Sequence, residues 1–504
     1  MFTVPSLSDL NVAATLPATL LALGASVLLV LDLFVPKGRK ALTAWLALAV
    51  LGVSLIVALL SLGDVVDLGT GEGAFFGLYI ADSFTDAVNV IVLVTAMLGV
   101  AVAYNYLERS GMQRGEYYVL LLFSALGAML MGAAGDLVTV FVALELLSIP
   151  LYILSGFRWR DEASEESALK YFILGAFASG FLVYGIALIY GATGTTEFGG
   201  IWTATRDLLA ADAGTKYTLM LGVGMVLAGL GFKVAAVPFH MWTPDVYQGA
   251  PTPVVAYMSV AAKVGGFAAL VRVLAWGVPD FVLSGESSAV WQSTVWLIAA
   301  LTMILGNVVA VAQSNLKRLL AYSSIAHAGY ILIAVAALGA ADVADEAARA
   351  VAIYLMAYAF TNVGAFAVIV ALERDDGSHT DMDSLRGLAK TQPVLAASMA
   401  VFMLSLAGVP LTAGFVGKWF VFKAGLAADL VPVTVIGVLT SAISAYYYLR
   451  VIWFMYFEEG EGEARVAWPL AWGIGVAAVG TLVLGLFPYL LSDMASGIAL
   501  AFGG

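Results

Sequence analysis

Residues 231–254 read GFKVAAVPFHMWTPDVYQGAPTPV and lie in a long apolar part of the chain. Lys233 stands five residues before Pro238 in this stretch. Proline lacks the backbone donor that a helix needs and clashes with the preceding turn, so a helix entering this stretch should break near Pro238. Freed backbone groups at membrane depth are tolerated only where protein or water satisfies them. The stretch therefore predicts a broken membrane helix beside a hydrated, ion-handling interior.

The composition of the whole chain is that of a membrane protein. Of its 504 residues, 62% are hydrophobic and 12% are charged, and the mean hydropathy is +0.96. Such a composition does not provide a water-facing surface, so a soluble protein is excluded. The long, unbroken apolar runs also exclude a β-barrel, whose strands would alternate. The sequence therefore predicts an all-α polytopic membrane protein.

Runs of roughly 20 apolar residues, the length that crosses a bilayer, predict about fourteen membrane helices. The predicted helices lie at roughly 14–35, 41–61, 78–104, 117–134, 137–157, 169–190, 218–239, 252–276, 290–312, 318–339, 349–372, 393–424, 431–455 and 467–490. The twelfth contains LSLAGVPLTAGFVGKW at residues 404–419, in which Pro410 stands eight residues before Lys418. We therefore expect the seventh and twelfth helices to be broken in similar ways.

Proline-interrupted helices in corresponding places of two halves are typical of transporters that are built from repeats. We predict one membrane domain over residues 1–504. Its predicted parts are three N-terminal helices at 1–114, repeat 1 with helices four to eight at 115–277, repeat 2 with helices nine to thirteen at 278–456, and a last helix at 457–504. Each repeat holds an odd number of helices, so the two five-helix repeats should be inverted relative to each other. The alternative is that the prolines are ordinary ones, which membrane helices often contain.

Lysine and arginine are enriched in cytoplasmic loops, so their distribution predicts the orientation of the chain. One set of alternate connections holds Lys37, Arg39, Lys40, Arg109, Arg114, Arg158, Arg160, Lys170, Lys317, Arg318, Arg374, Arg386, Lys390, Arg450 and Arg465. The opposite set holds Arg206, Lys216 and Arg349. This asymmetry predicts that both termini lie on the outer side of the membrane.

Three lysines, Lys233, Lys263 and Lys418, fall inside predicted helices. A charge at mid-bilayer costs about 2.5–3.5 kcal/mol on insertion scales, so such lysines indicate either function or a side chain that reaches the interface. Glu145 lies in the fifth helix, where a carboxylate must pair with a cation or take up a proton. The lysines and Glu145 are therefore candidate proton sites, with a structural ion pair as the alternative for Glu145.

Two histidines extend this set of candidates. His240 follows Pro238 and His327 lies within the tenth helix, so each could relay protons near neutral pH or simply line a wet cavity. His379 lies in the polar run RDDGSHTDMDS at 374–384 and is expected in a solvated loop. Asp82 and Asp86, one turn apart near the outer end of the third helix, carry no assigned role.

Bulk properties exclude several kinds of partner and site. The net charge of -12 and the lack of a basic stripe argue against nucleic acid. The chain has no cysteine, so it offers no thiolate ligand for an iron–sulfur cluster and no disulfide. No dinucleotide fingerprint follows a strand, so we expect that the chain itself binds no NADH.

Five segments together resemble the antiporter-like membrane subunits of the proton-pumping NADH:quinone oxidoreductase, respiratory complex I. They are ELLSIPLYILSGF (145–157), SALKYFILGAFASG (167–180), GFKVAAVPFHMWTPDVYQGAPTPV (231–254), NLKRLLAYSSIAHAGY (315–330) and LSLAGVPLTAGFVGKW (404–419). They occur in the order of that family, and the resemblance spans about residues 115–456. VYQGAP and the lysine at Lys263 are similar to the subunit N branch, whereas the larger paralogues usually have histidine near Lys263.

The resemblance implies a proton channel without a redox centre. In the family, the glutamate matching Glu145 and the lysine matching Lys233 form a pair that opens or tightens. The lysine matching Lys263 then passes a proton toward the lysine matching Lys418, where it exits. Pumping would be coupled to quinone reduction elsewhere in the complex.

The resemblance also implies partners and a location. NADH, FMN, iron–sulfur clusters and quinone are expected in partner subunits, and no cofactor in this chain. The expected partners are other membrane-arm subunits, including neighbouring antiporter-like ones, and membrane lipids in the bacterial inner membrane. Two alternatives remain: a subunit of a multi-subunit sodium/proton antiporter, which shares the same core, and a scaffold without transport.

Overall fold

The computed structural model describes residues 10–63, 65–66, 68, 73–210, 214–279, 285–375 and 377–499. These residues form nineteen α-helices, and a short antiparallel ribbon pairs Gly73–Ala74 with Tyr79–Ile80. Thirteen helical segments among them are long and apolar enough to cross a membrane. The prediction of an all-α polytopic membrane protein is confirmed.

The helices fall into four groups along the chain. The N-terminal group is α1 (Leu16–Asp32), α2 (Ala41–Leu62) and α3 (Ser83–Arg109). The next group is α4 (Gly115–Ala133), α5 (Leu137–Ser155), α6 (Glu162–Thr193), α7 (Phe198–Ala210), α8 (Thr215–Val234), α9 (Trp242–Gly249) and α10 (Thr252–Arg272). The third is α11 (Gly285–Val311), α12 (Leu316–Ala337), α13 (Ala344–Leu372), α14 (Leu388–Thr391), α15 (Pro393–Ala407), α16 (Ala413–Ala427) and α17 (Val431–Tyr456). The last is α18 (Trp468–Leu486) and α19 (Tyr489–Ser496).

Both predicted helix breaks are present. The seventh predicted helix is α8, which ends at Val234, and a non-helical segment at 235–241 contains Pro238 before α9 begins. The twelfth is divided into α15 and α16 by the segment 408–412, which contains Pro410. Proline therefore lies in each break, as its missing donor and fixed φ require.

The two breaks begin with the same backbone conformation. Ala235 follows α8 with φ 62°, and Gly408 follows α15 with φ 89°. A left-handed residue after the last turn lets its N–H bond back to the end of the helix, and it is usually glycine because a Cβ is strained there. The N–H of Ala235 bonds to Gly231 O and Phe232 O, and that of Gly408 bonds to Leu404 O and Ser405 O. Both helices are thus terminated by the same motif.

Corresponding helices of the two halves pack on corresponding neighbours. In the first half, α4 contacts α5 and α10, and α6 contacts α8. In the second half, α11 contacts α12 and α17, and α13 contacts α15 and α16. Gly127 lets α4 approach the backbone of Leu147, as Gly306 lets α11 approach that of Ala326, because a Cβ at either glycine would collide.

The centre of the molecule is formed by α10, α12 and α13, which are almost wholly buried. Helix α10 packs against α13 and α12, so the two halves meet along it. The N-terminal helix α3 and the C-terminal helix α18 pack on α13 from the side. Polar side chains on these central helices are therefore enclosed by protein.

Candidate functional site

Lys233 lies in the last turn of α8, is 2% exposed and is held loosely. Its Nζ is 5.3 Å from the ring centroid of Tyr171 and 5.6 Å from that of Tyr152. It donates to Tyr171 Oη at 3.5 Å, which is the limit of a hydrogen bond. Within the described residues, it forms no ion pair with a carboxylate. Its ammonium is therefore surrounded mainly by aromatic faces.

Glu145 is partly exposed on α5 and accepts a hydrogen bond from the Ser179 hydroxyl of α6. Its charge acts on Lys233. Ser179, Lys233 and Tyr152 line a cavity of about 10 Å³, the space for the centre of roughly one water molecule. Lys233 and Ser179, which bonds to Glu145, thus line the same water-sized cavity, and among the described residues no direct ion pair joins Glu145 to Lys233.

Lys263 is buried on α10 and caps the first break. Its Nζ donates to Val234 O, the last residue of α8, at 3.0 Å. A carbonyl at a helix C-terminus has no intrahelical partner and lies at the negative end of the helix dipole, so an ammonium satisfies it well. Gly266, one turn further along α10, allows close contact with α8, because a Cβ there would lie only 2.8 Å from Val234 Cγ1. Lys233 and Lys263 therefore lie on helices in direct contact.

Lys418 is buried on α16 and caps the second break. Its Nζ donates to Leu406 O at 3.0 Å, to Ala407 O at 2.9 Å and to Ser441 Oγ at 2.8 Å. The ring of Tyr330 lies 4.9 Å from the same atom. These three acceptors match the three donors of an ammonium, so Lys418 is firmly held.

His327 lies on α12, which packs against both α10 and α16, the helices that carry Lys263 and Lys418. Its Nδ1 is 2.6 Å from Tyr354 Oη and its Nε2 is 3.1 Å from Tyr448 Oη. The ring is buried and lines a second cavity of about 10 Å³. This cavity lies between α12, α13 and the broken α15–α16, as the first lies between α5, α6 and α8.

The other two histidines lie outside the helices. His240 lies in the non-helical segment 235–241, is partly exposed, and its Nδ1 has no hydrogen-bond partner within the described residues. His379 lies in the loop after α13 and contacts Ser378.

The acidic pair near the start of α3 has a structural role. Asp82 receives two hydrogen bonds from the buried Arg272, at 2.7 Å and 2.5 Å, and caps α3 through Thr85 N. Asp86 accepts from Ser61 Oγ at 2.7 Å. The Arg272 guanidinium also stacks 4.2 Å from the Trp276 ring. These contacts join α2, α3 and α10.

Asp245 fixes the short helix α9 between the two halves. It accepts from Lys170 Nζ of α6 at 2.8 Å and from Arg318 Nη1 of α12 at 2.7 Å. Burial alone would raise the pKa of this carboxyl, but the two hydrogen bonds hold its pKa below the ordinary value. At neutral pH, Asp245 is therefore charged and keeps α9 in place.

The sequence analysis missed the hydroxyl groups that surround the lysines, Glu145 and His327. They are Tyr152, Tyr171, Ser179, Tyr330, Tyr354, Ser441 and Tyr448. The sequence contained one indication of these groups. Tyr171 and Ser179 lie in the segment SALKYFILGAFASG at a spacing that places both on one stripe of a helix. The site can therefore hold and pass protons through groups that both donate and accept hydrogen bonds.

The site has no evident place for a metal ion. Within the described residues, no group of three or more His, Asp or Glu side chains could hold one. Its donors are amines, imidazole and hydroxyls, which suit proton transfer.

Known proteins are similar to this chain over nearly its whole length. The family model "NADH:quinone oxidoreductase/Mrp antiporter, TM" matches residues 134–444. NADH-quinone oxidoreductase subunit N of Trichlorobacter lovleyi is 42% identical over 490 residues, which cover 96% of each chain.

Two solved structures share the fold. A chain of respiratory complex I from Thermus thermophilus with bound aureothin is 36% identical with a TM-score of 0.78, covering 95% of this chain and 100% of that one. A chain of the Mrp complex from a Dietzia species has a TM-score of 0.81 at 22% identity, covering 97% of each chain, and so shows the fold alone. This chain belongs to the NADH:quinone oxidoreductase/Mrp antiporter family and, within it, to subunit N of the NADH-quinone oxidoreductases, as its motifs predicted.

Proposed function

We propose that this chain translocates protons along the row Glu145, Lys233, Lys263, His327 and Lys418 as a membrane-arm subunit of NADH:quinone oxidoreductase. The observation that carries the proposal is that the buried basic groups lie on helices that pack against one another. Lys233 and Lys263 lie on touching helices, and the helix of His327 packs against those of Lys263 and Lys418. Buried basic groups without carboxylate partners are costly, so their presence favours function.

Glu145 and the first cavity supply a means of control. A carboxylate stabilises a nearby ammonium, whereas burial favours the neutral amine, so changing their separation by a few ångströms loads or releases a proton. Lys233 is suited to this change because, within the described part of the chain, a single weak hydrogen bond holds it. A released proton passes toward Lys263, His327 and Lys418, each of which already contacts another polar group.

Redox chemistry belongs to partner subunits in this proposal. NADH, FMN, iron–sulfur clusters and quinone would be bound there, since this chain has no cysteine and the candidate row consists of proton-transfer groups. Its partners would be the other membrane-arm subunits, including neighbouring antiporter-like ones, and lipids of the bacterial inner membrane. The excess of Lys and Arg on one side supports an orientation with both termini outside.

We further propose that residues 115–277 and 278–456 are inverted repeats, between the N-terminal part at 1–114 and the C-terminal part at 457–504. The matching helix contacts and the two left-handed helix ends support this division. His240 lies beside the row in the first break, and a relay role for it stays a prediction.

The proposal is tested with Lys233→Ala in the assembled complex in membrane vesicles. Proton pumping and quinone-linked NADH oxidation should fall strongly, whereas NADH oxidation with an artificial acceptor should persist, because that reaction does not need the membrane row. Lys423→Arg is a matched control, since Lys423 is 57% exposed and pairs with Glu346 at 2.7 Å on the surface. Normal pumping by an assembled Lys233→Ala complex would remove Lys233 from the mechanism.

The family description, which also names the Mrp antiporter, leaves a second candidate, in which the chain is a subunit of a multi-subunit sodium/proton antiporter. The proteins that co-purify in mild detergent separate the two. Flavin and iron–sulfur subunits favour the oxidoreductase, and small antiporter subunits favour the exchanger.

A further inference from the structure

A second buried cluster lies apart from the row, at the side that carries the excess of Lys and Arg. Its centre is Glu373, which directly follows α13 and is 1% exposed. Oε1 accepts hydrogen bonds from Tyr106 Oη and Arg158 Nη2, each at 3.0 Å. Oε2 has no hydrogen-bond partner within the described residues. A buried carboxylate oxygen without a donor is unusual and can take up a proton.

Glu373 is one of the residues that line an open surface pocket of about 550 Å³, although its side chain is buried. The other charged residues that line this pocket are Arg374, Glu461, Glu463 and Arg465. The pocket is polar, so water on this side comes close to Glu373. The carboxylate thus lies between an aqueous pocket and the packed interior.

Lys317 lies further inside, in the first turn of α12, and is 4% exposed. Its position corrects the sequence analysis, which placed it in a connection, because α12 begins earlier than the predicted helix at 318. Its Nζ donates to Ala250 O, at the end of α9, at 2.7 Å. The neighbouring Leu316 N donates to Thr380 O, in the loop that begins at Glu373, at 2.7 Å, so the start of α12 lies against that loop. Thr252, the first residue of α10, has a buried Oγ1 without a partner among the described residues, so the junction of α9 and α10 has unused hydrogen-bonding capacity.

Helix α12 connects Lys317 with the row. Ser324 lies seven residues after Lys317, on the same face and roughly 10 Å further along the helix. It accepts a hydrogen bond from Tyr358 Oη at 2.9 Å. His327 follows one turn later. Hydroxyl groups therefore lie between Lys317 and the histidine of the row.

We propose that Glu373 and Lys317 form a proton-uptake site that supplies His327 along α12. The proposal rests on the proposed function and adds the entrance of the path. A hydronium ion in the pocket gives its proton to Glu373 Oε2 and becomes water. The proton then passes to Lys317 when its amine is neutral, which restores the carboxylate, and leaves Lys317 toward Ser324. Each proton taken up is passed on, and the step needs no oxidant or reductant.

The competing explanation is structural: Glu373 ties Arg158 to α3 and α13, and Lys317 caps α9. Lys317→Arg separates the two explanations. Arginine keeps the positive charge and the donors that a cap needs, but it does not lose its proton in proteins. A capping role survives this change, whereas a relay role does not.

The experiment uses the assembled complex in membrane vesicles and measures protons pumped and NADH oxidised with quinone. Lys317→Arg should reduce pumping about tenfold or more, as expected when a proton-transfer group is lost. The control Lys423→Arg should pump normally. Glu373→Gln should also reduce pumping about tenfold, Glu373→Asp should retain part of it, and Glu463→Gln, on the exposed rim of the same pocket, should change little.

Normal pumping by assembled Lys317→Arg and Glu373→Gln complexes overturns the uptake site. If Lys233→Ala still abolishes pumping in that case, the proposed function stands; if Lys233→Ala also pumps normally, both proposals fall. If neither charge variant assembles, Ser324→Ala decides, because it removes only a hydroxyl. Pumping that falls several-fold in Ser324→Ala supports the route, and unchanged pumping overturns it.

Discussion

Both helix breaks leave backbone carbonyls without intrahelical partners, and a different lysine donates to these carbonyls at each break. At the first break, Lys263 comes from another helix, α10, and donates to one freed carbonyl, Val234 O. At the second, Lys418 comes from the continuation of the broken helix and donates to two freed carbonyls and to Ser441. The first break has in addition Lys233, whose one hydrogen bond is 3.5 Å long.

These different contacts distinguish lysines that cap a helix end from a lysine whose protonation state can change. Charges that cap freed carbonyls are fixed by the backbone, so their removal leaves buried acceptors unsatisfied. Lys233 satisfies no carbonyl and can change its protonation without disturbing the break. We therefore infer that the protonation of Lys233 in the first half responds to the approach of Glu145. In the second half, Lys418 holds a proton in a fixed place before release.

Replacing the lysines one at a time with methionine should give the largest effects. Lys233→Met and Lys418→Met should each reduce proton pumping about tenfold or more, because methionine carries no proton. Only Lys418→Met should also destabilise the subunit, by about 2–4 kcal/mol, because it leaves two buried carbonyls without donors. Pumping in vesicles and the temperature at which the subunit leaves the complex in detergent measure the two effects. Equal stability of both variants would contradict the assignment of Lys418 as the cap.

Glu145 tests whether the first half responds to charge. Glu145→Gln should reduce pumping several-fold, since it removes the charge that acts on Lys233 but keeps an acceptor for Ser179. Glu145→Asp should retain part of the activity, because the charge stays and the reach shortens by one methylene. Pumping rates of the two variants, compared at equal amounts of assembled complex, provide the measurement. The same rate for Glu, Gln and Asp would favour a purely structural Glu145.

Most of the fold could be predicted from the sequence, and part of the site. Runs of apolar residues predicted the helices. Pro238 and Pro410 predicted the positions of the breaks, because proline excludes a continuous helix. The lysines were found because a charge in an apolar run is costly and therefore rare. The carbonyl caps could not be found, since Lys263 and Val234 lie 29 positions apart and only packing brings them together.

Glu373 shows a second limit of the sequence. Its carboxylate follows a helix end and precedes Arg374 and Asp375, so its pattern is that of a solvated loop. In the structure it is buried, because Tyr106 and Arg158, from distant parts of the chain, pack against it and donate hydrogen bonds to it. The boundary of α12 had a similar effect on Lys317. The helix begins two residues before the predicted start, so Lys317 is buried in its first turn and does not lie in a loop.

Substitutions of the two left-handed residues that end α8 and α15 should change the stability of the subunit in opposite directions. Gly408→Ala should destabilise the subunit by about 1–2 kcal/mol, because φ 89° is unfavourable for alanine. The added Cβ would also lie 2.9 Å from Lys418 Cδ. Ala235→Gly should stabilise the first break by up to about 1 kcal/mol, because it relieves strain at φ 62°. Heat-induced release from the complex measures both, and a loss of stability in Ala235→Gly would contradict the strain argument.

Phenol groups give the smallest and most selective comparison. Tyr448→Phe removes a hydroxyl 3.1 Å from His327 Nε2, whereas Tyr171→Phe removes one 3.5 Å from Lys233 Nζ. A well-formed buried hydrogen bond contributes about 1 kcal/mol, and a bond at the distance limit contributes less. Tyr448→Phe should therefore slow pumping about two- to fivefold. Tyr171→Phe should have little effect, because its ring face remains beside the ammonium. Pumping rates at equal assembly provide the measurement, and a larger effect of Tyr171→Phe would mean that Lys233, and not His327, depends on a fixed hydroxyl.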